Sequence, residues 1–194
     1  EWVGFCSYRE FWQNIDNKNK NDLLKDLVIQ KVPEQWSNYE AIIGQPIQIN
    51  KIKFSKIFKY GKLALLLNPK AISASGRNIK WQFDMFHGVG NLDKAINLLP
   101  VEDKEEFRKF TRENVKYSRG NVFITNSSKI INDYFSYIFE WLEKCEKIFG
   151  FNLNGYGQMR MYAFLAERFL PFWFKKYTKC LEWPMVFYDL NKLN

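Results

Sequence analysis

The stretch YGQMRMYAFLAERFLPFWF, Tyr156 to Phe174, constrains the fold of this chain more than any other. Read as a helix it is apolar on nearly every side, so it belongs inside the molecule and other elements must wrap it. The chain has the material to do so, with 46% of its 194 residues apolar and 18% aromatic. That supplies one well-filled core and excludes wholesale disorder. The pattern predicts a helix from Gly157 to about Lys176, kinked or broken near Pro171. Inside it stand Arg160, Glu167 and Arg168, the first two being seven residues apart and so on one face two turns along. Ionised groups in such surroundings must pair with one another or line a wet cleft. The sequence alone leaves both open.

The rest reads as a mixed α/β chain. WVGFC is a short apolar run bounded by polar residues, the pattern of a buried core strand. Asn14 to Asn21, NIDNKNKN, is polar and low in complexity and is expected as an exposed loop. DLLKDLVIQ and YEAIIGQPIQI are expected as strand–loop pieces, whereas LALLLNP fits helix or strand equally. From Pro100 to Asn114, acids come early and Lys and Arg late, the charge order of a helix. GNVFITN follows as a strand, and Ser127 and Ser128 stand where an N-cap belongs. Ile130, Tyr134, Ile138, Trp141, Cys145 and Ile148 then mark one face of a long helix ending near Gly150. The expectation is one domain over residues 1–194, with a mixed α/β portion at 1–126 and a helical C-terminal portion at 127–194. The chain opens at Glu1, without an initiator methionine and directly on a strand pattern, so it reads as an excerpt of a longer protein.

Charge and cysteines narrow the function classes. Lys and Arg number 29 against 21 acids, a formal charge of +8, which favours anionic partners such as nucleotide phosphates, nucleic acid or an acidic membrane surface. Cys6, Cys145 and Cys180 are widely spaced without a CxxC, so no disulfide framework or zinc site is expected, and the set fits a reducing cytosol. No run approaches the roughly 18 apolar residues of a membrane span. Neither GxxxxGK[ST], GxGxxG nor GxSxG is present, against P-loop, Rossmann and serine-hydrolase sites, and no DxD marks a carboxylate pair for a metal.

Four places can carry chemistry. His87 is the sole histidine. In a helical IKWQFDMFHG it lies one turn from Asp84 and directly before Gly88, where it suits a helix end or a ligand-binding role. Tyr8 and Arg9 follow the first strand, where ligands of open α/β sheets collect; Tyr8 can stack on a base and Arg9 offers a fork for phosphate. Asn121 opens an apolar strand and can cap a turn or bond a ligand. The fourth place is the Arg160, Glu167 and Arg168 set. The run RFLPFWFKKYTK fits either core aromatics followed by solvated lysines or a contact with an anionic membrane leaflet.

Taken in order, GFCSYREFW, QFDMFH, GNVFI, IFEWLEKCEKIFGF and RMYAFLAERFLPFWFKKYTK resemble a family of bacterial capsular polysaccharide glycosyltransferases long catalogued as a domain of unknown function. The resemblance runs from Trp2 to about Phe187. Tyr8 and Arg9 match its Tyr-Arg core, Gln82 and His87 its Gln-x-x-x-x-His element, Asn121 its strand Asn, and Arg160, Glu167 and Arg168 its last helix. Ser7 and Glu10 depart from the His and second Arg usual beside the Tyr-Arg core, and Gly120 and Val122 from the commoner neighbours of Asn121.

The resemblance implies a GT-A-like nucleotide-sugar fold that lacks its N-terminal segment here and ends in a helical part. It implies a cytoplasmic enzyme, peripheral at the inner membrane, moving a sugar from a nucleotide-sugar donor to a growing capsular or surface polysaccharide or a lipid-linked acceptor. Tyr8, Arg9, Gln82, His87, Asn121, Arg160 and Arg168 would bind the donor, and Glu167 and Asp84 would serve catalysis. Mn²⁺ or Mg²⁺ would suit the departing diphosphate, with no ligand set evident from the sequence. The alternative is a non-catalytic basic module for RNA or an anionic membrane surface; it accounts for the charge but not for the ionised groups embedded in the last helix, and makes nucleic acid the weaker partner.

Overall fold

The computed structural model describes residues 1–7, 9–16, 24–52, 55–57 and 61–188. In chain order its main elements are β1 (Val3–Phe5), β2 (Glu10–Trp12), α1 (Leu24–Leu27), β3 (Ala41–Gly44), β4 (Pro46–Gln48), α2 (Lys62–Leu67), α3 (Ile79–His87), α4 (Asn91–Ile96) and α5 (Val101–Glu113). They continue with β5 (Lys116–Ser118), β6 (Phe123–Thr125), α6 (Ser128–Phe149), α7 (Tyr156–Met159), α8 (Met161–Tyr177), β7 (Cys180–Trp183) and β8 (Met185–Phe187). The chain is therefore mixed α/β.

The main sheet has the order β1-β6-β3-β7, with β6 antiparallel to both neighbours and β7 parallel to β3. Pairs β2–β8 and β4–β5 flank it. Strand β3 is buried on both faces, as its sequence AIIG allows. Ala41 and Ile43 face the large core, and Ile42 joins a tryptophan cluster of Trp12, Trp36 and Trp183. Helix α8 is the centre of that large core, with Met161 and every residue from Leu165 to Phe174 buried. Helices α5 and α6 and strands β3 and β5 pack around it.

Several expectations hold for local reasons. The Ser127 side chain caps α6 by accepting from the Ile130 amide, and Gly150, with φ of 64°, ends it. Tyr134, Ile138, Trp141 and Cys145 are its buried face, but Ile148 is 55% exposed. Asn78 caps α3 through the Trp81 amide, and Gly88, with φ of 97°, stops it after His87.

Others are corrected. Strand β1 is not a core strand; it lies on the sheet edge with all three residues exposed, since only β6 pairs with it. LKDL is a helical turn rather than part of a strand, and LALLL is helical. The last predicted helix breaks at Arg160, not at Pro171. There φ is −103° and ψ 14°, whereas α8 continues through the buried Pro171 to Tyr177. The C-terminal portion also ends in strands, β7 in the main sheet and β8 paired with β2. The loop expected at Asn14 to Asn21 lies mostly outside the described residues. Among the described residues no helix is long and apolar enough to cross a membrane.

RFLPFWFKKYTK resolves as core aromatics. Phe169, Phe172, Trp173 and Phe174 are buried, and Lys176 pairs with the fully buried Asp103 at 2.9 Å and with Glu106 at 2.8 Å. No apolar face is left there for a membrane.

Candidate functional site

Positions 160, 164, 167 and 168 fall on one side of α8 and its entrance, and this side meets α3 and the β5–β6 turn. Arg168 is 2% exposed. Its Nη1 donates to Glu167 Oε2 at 2.7 Å and its Nη2 to Gln82 Oε1 at 2.9 Å. The guanidinium lies over the Tyr117 ring, 4.0 Å from the centroid, while its Nε finds no acceptor. The other Glu167 oxygen accepts from the Gly120 amide at 2.7 Å. Buried ions are tolerated when paired and hydrogen-bonded in this way. Burial, ahead of the neighbouring charges, pushes the Tyr117 hydroxyl up to about 12, so it remains protonated.

One turn earlier, Phe164 stacks on the His87 ring with centroids 4.1 Å apart, and Phe83 packs against the same ring at 4.6 Å. His87 Nδ1 lies 2.9 Å from the Gly157 carbonyl, which requires a proton on Nδ1 and leaves Nε2 as the acceptor. Burial lowers its pKa to about 4, and the Arg168 charge adds to this, so the ring is neutral near pH 7. It is both a helix end and a wall of this site. A neutral imidazole with its Nδ1 proton engaged offers an acceptor at Nε2 rather than a positive charge.

Arg160 is exposed at the rim. It bonds the Tyr156 hydroxyl and lies over the Tyr156 and Phe164 rings at 5.0 and 5.4 Å. It does not pair with Glu167, which lies two turns further along and is engaged by Arg168 and the Gly120 amide. Asn121 ties the start of β6 to α8 through its Nδ2 and the Ala163 carbonyl at 3.0 Å. Arg9 is half-buried at the start of β2, its carbonyl accepting from the Tyr188 amide. Tyr8 lies outside the described residues.

Asp84 stands apart from this group. It does not bond His87; its carboxylate holds Lys80 at 2.5 Å and the Gly90 amide at 3.1 Å, on roughly the opposite side of α3 from Gln82. There it lines a cleft of about 480 Å³ with Lys80, Asp93 and Arg112.

Sequence reasoning passed over Tyr117, Phe164, Gly157, Gly120 and the Glu10–Arg119 pair. Arg119 reaches Glu10 at 2.6 Å, so the acid that replaces a second Arg after Arg9 has a cation of its own. Gly157 lies so close to α3 that a Cβ there would sit 2.0 Å from the Phe86 carbonyl oxygen. The positive φ of Gly120, 80°, turns its amide onto Glu167. The S-R-G between two strand patterns was the available signal for that turn.

No three His, Cys, Asp or Glu residues gather as metal ligands among the described residues. The Glu167 and Asp84 carboxylates are engaged by Arg168 and Lys80, so these residues do not fit a bound Mn²⁺ or Mg²⁺.

Fold and site together define a mixed α/β protein with a buried ion array beside an aromatic-lined histidine. The family model described as Domain of unknown function (DUF4422) matches residues 1–179, and the chain belongs to that family. No curated protein matches the sequence. Among solved structures, the fold is similar to that of the bifunctional glycosyltransferase WbbM in its apo form, with a TM-score of 0.62 and 14% identity. The likeness covers 97% of this chain and 33% of that one, so the chain spans about a third of WbbM's length. At that identity the likeness is one of fold.

Proposed function

We propose that this chain forms the nucleotide-sugar-binding part of a glycosyltransferase with a GT-A-like fold. It would move a sugar from a nucleotide-sugar donor to a growing capsular or surface polysaccharide or a lipid-linked acceptor. The observation that carries this reading is convergence. Gln82, His87, Asn121, Arg160, Glu167 and Arg168 come from three separate stretches of the sequence and meet along one side of α8. A glycosyltransferase fold in a solved relative supports the same class.

In this reading the residues divide by solvent access. Arg160, exposed beside the Tyr156 and Phe164 rings, offers positive charge to the departing diphosphate, and Tyr156, 70% exposed, offers a face on which a sugar or base can stack. Arg9 serves the donor from the start of β2, and Tyr8 does so with it by its place next to Arg9 in the sequence. The His87 Nε2 accepts from a sugar hydroxyl rather than holding phosphate. Both Glu167 oxygens are already engaged, so Glu167 acts as a positioning residue: it fixes Arg168 and the Gly120 turn, and through Arg168 the Gln82 amide. No step here runs through a metal or assigns the acceptor's base.

The test is release of free nucleotide when the intact protein is incubated with UDP-, GDP- and CMP-sugars. One class is expected to be turned over, and Arg160→Ala to cut that rate by roughly tenfold or more. Absence of turnover for all three classes, with an acceptor glycan supplied, would overturn the proposal.

A further inference from the structure

Helix α2 and the turn after it carry exposed aliphatic side chains that no packed neighbour among the described residues covers. Leu63, Leu66, Leu67 and Ile72 are 57%, 74%, 63% and 60% exposed. The opposite side of the same segment is well packed, with Ala64 and Ala71 buried against Ile57, Trp81 and Met85. The three leucines stand at i, i+3 and i+4, so they share one face of α2. Isolated exposed leucines are ordinary; a contiguous set of four aliphatic side chains on one surface segment is not.

The charge around this face is one-sided. Between Glu40 and Asp84 the sequence has eight Lys and Arg residues and no acid. Lys51, Lys56, Lys62 and Lys70 are exposed, and none has an acidic partner among the described residues. The buried Arg77 holds the pieces together. Its guanidinium donates to the carbonyls of Asn50 at 3.1 Å, Ile52 at 3.3 Å, Ala71 at 2.9 Å and Ile72 at 2.8 Å. Lys51 is thereby held beside the Lys70–Ile72 turn, and basic side chains flank the leucine face.

We infer that this face docks on an anionic lipid bilayer, the leucines and Ile72 entering the headgroup–acyl boundary and the lysines meeting acidic headgroups. An aliphatic face flanked by lysines is the pattern of an interfacial membrane contact. Single-stranded RNA is favoured less, because its bases stack on aromatic rings and the exposed apolar groups of α2 and the turn after it are aliphatic. A second copy of the chain would bring the same unpaired lysines together. The contact is independent of the transferase reading, and vesicle binding is scored without any sugar donor. It also differs from the RFLPFWFKKYTK segment, whose aromatics are internal. Helix α3 separates the two regions, its Trp81 and Met85 packing on α2 and its Phe83 and His87 facing α8.

The experiment is co-sedimentation of the intact protein with vesicles of phosphatidylcholine alone or of phosphatidylcholine mixed with phosphatidylglycerol. The expected result is binding to the anionic vesicles only, weakening as salt rises. Leu66→Ser with Leu67→Ser should lower the partition coefficient by about tenfold or more, and Lys62→Glu with Lys70→Glu by a similar factor. Because these side chains are exposed, all variants should keep the parent's thermal midpoint. Binding unchanged in both double variants would overturn the proposal. So would failure to bind either vesicle, including the case in which the leucine variants abolish self-association in sedimentation velocity or the lysine variants abolish RNA binding.

Discussion

At the scale of single residues, two buried groups govern the candidate site. His87 is neutral because burial between Phe83 and Phe164 lowers its pKa from 6.5 to about 4. Between those values the unfolded chain holds the proton and the folded one does not, so stability is complete above about pH 6.5 and declines as pH falls towards 4. The full shift corresponds to roughly 3 kcal/mol. Urea unfolding at pH 7 and pH 5 should show about 2 kcal/mol of that loss in the parent and a smaller one in His87→Phe. Equal losses would mean that the ring is solvated and protonates freely. The Glu167–Arg168 pair makes a second prediction. Arg168→Met alone leaves a buried carboxylate without its cation and should cost about 3–5 kcal/mol, while Glu167→Gln with Arg168→Met should cost clearly less than the two singles added. Additive costs in the double-mutant cycle would show that the two side chains do not act as a unit.

At the scale of elements, the site depends on how closely α7 approaches α3. A Cβ on Gly157 would collide with the Phe86 carbonyl oxygen, so Gly157→Ala must push α7 outward and loosen the His87 bond to the residue-157 carbonyl. The expected cost is about 1–3 kcal/mol; because the bond to residue 157 raises the His87 pKa against burial, loosening it should lower that pKa further below about 4 in an NMR titration. An unmoved pKa would place the control of His87 elsewhere. This approach also explains what the sequence could and could not reveal. Helix α6 was legible because its boundaries are local, Ser127 at one end and Gly150 at the other. The break at Arg160 was not, because no Pro or Gly stands at that position to signal it. Spacing placed Arg160 and Glu167 on one face and left open whether the charges there pair or line a cleft. The actual pair, Glu167 with Arg168, forms because Gly120, Gln82 and Tyr117 converge on both from other elements. A short apolar run such as VGF likewise looks the same at a sheet edge as at its centre.

For the whole molecule, the positive charge is organised rather than spread evenly. The acid-free stretch from residue 41 to residue 83 gathers eight of the 29 basic residues, and Lys51, Lys56, Lys62 and Lys70 of it are exposed. The Glu167 and Arg168 charges of α8 lie instead in the interior, where they tie α3, β5 and the β5–β6 turn to the central helix. The central claim, that the α8 side receives a nucleotide-sugar, is tested most directly by thermal unfolding of the intact protein with UDP-, GDP- and CMP-sugars. Ligand at about 100 times its Kd should add roughly 2.7 kcal/mol of stability. The account predicts a rise in the unfolding midpoint for one nucleotide class, reduced in Arg160→Ala; no rise for any class, together with RNA binding that collapses steeply with salt, would contradict it.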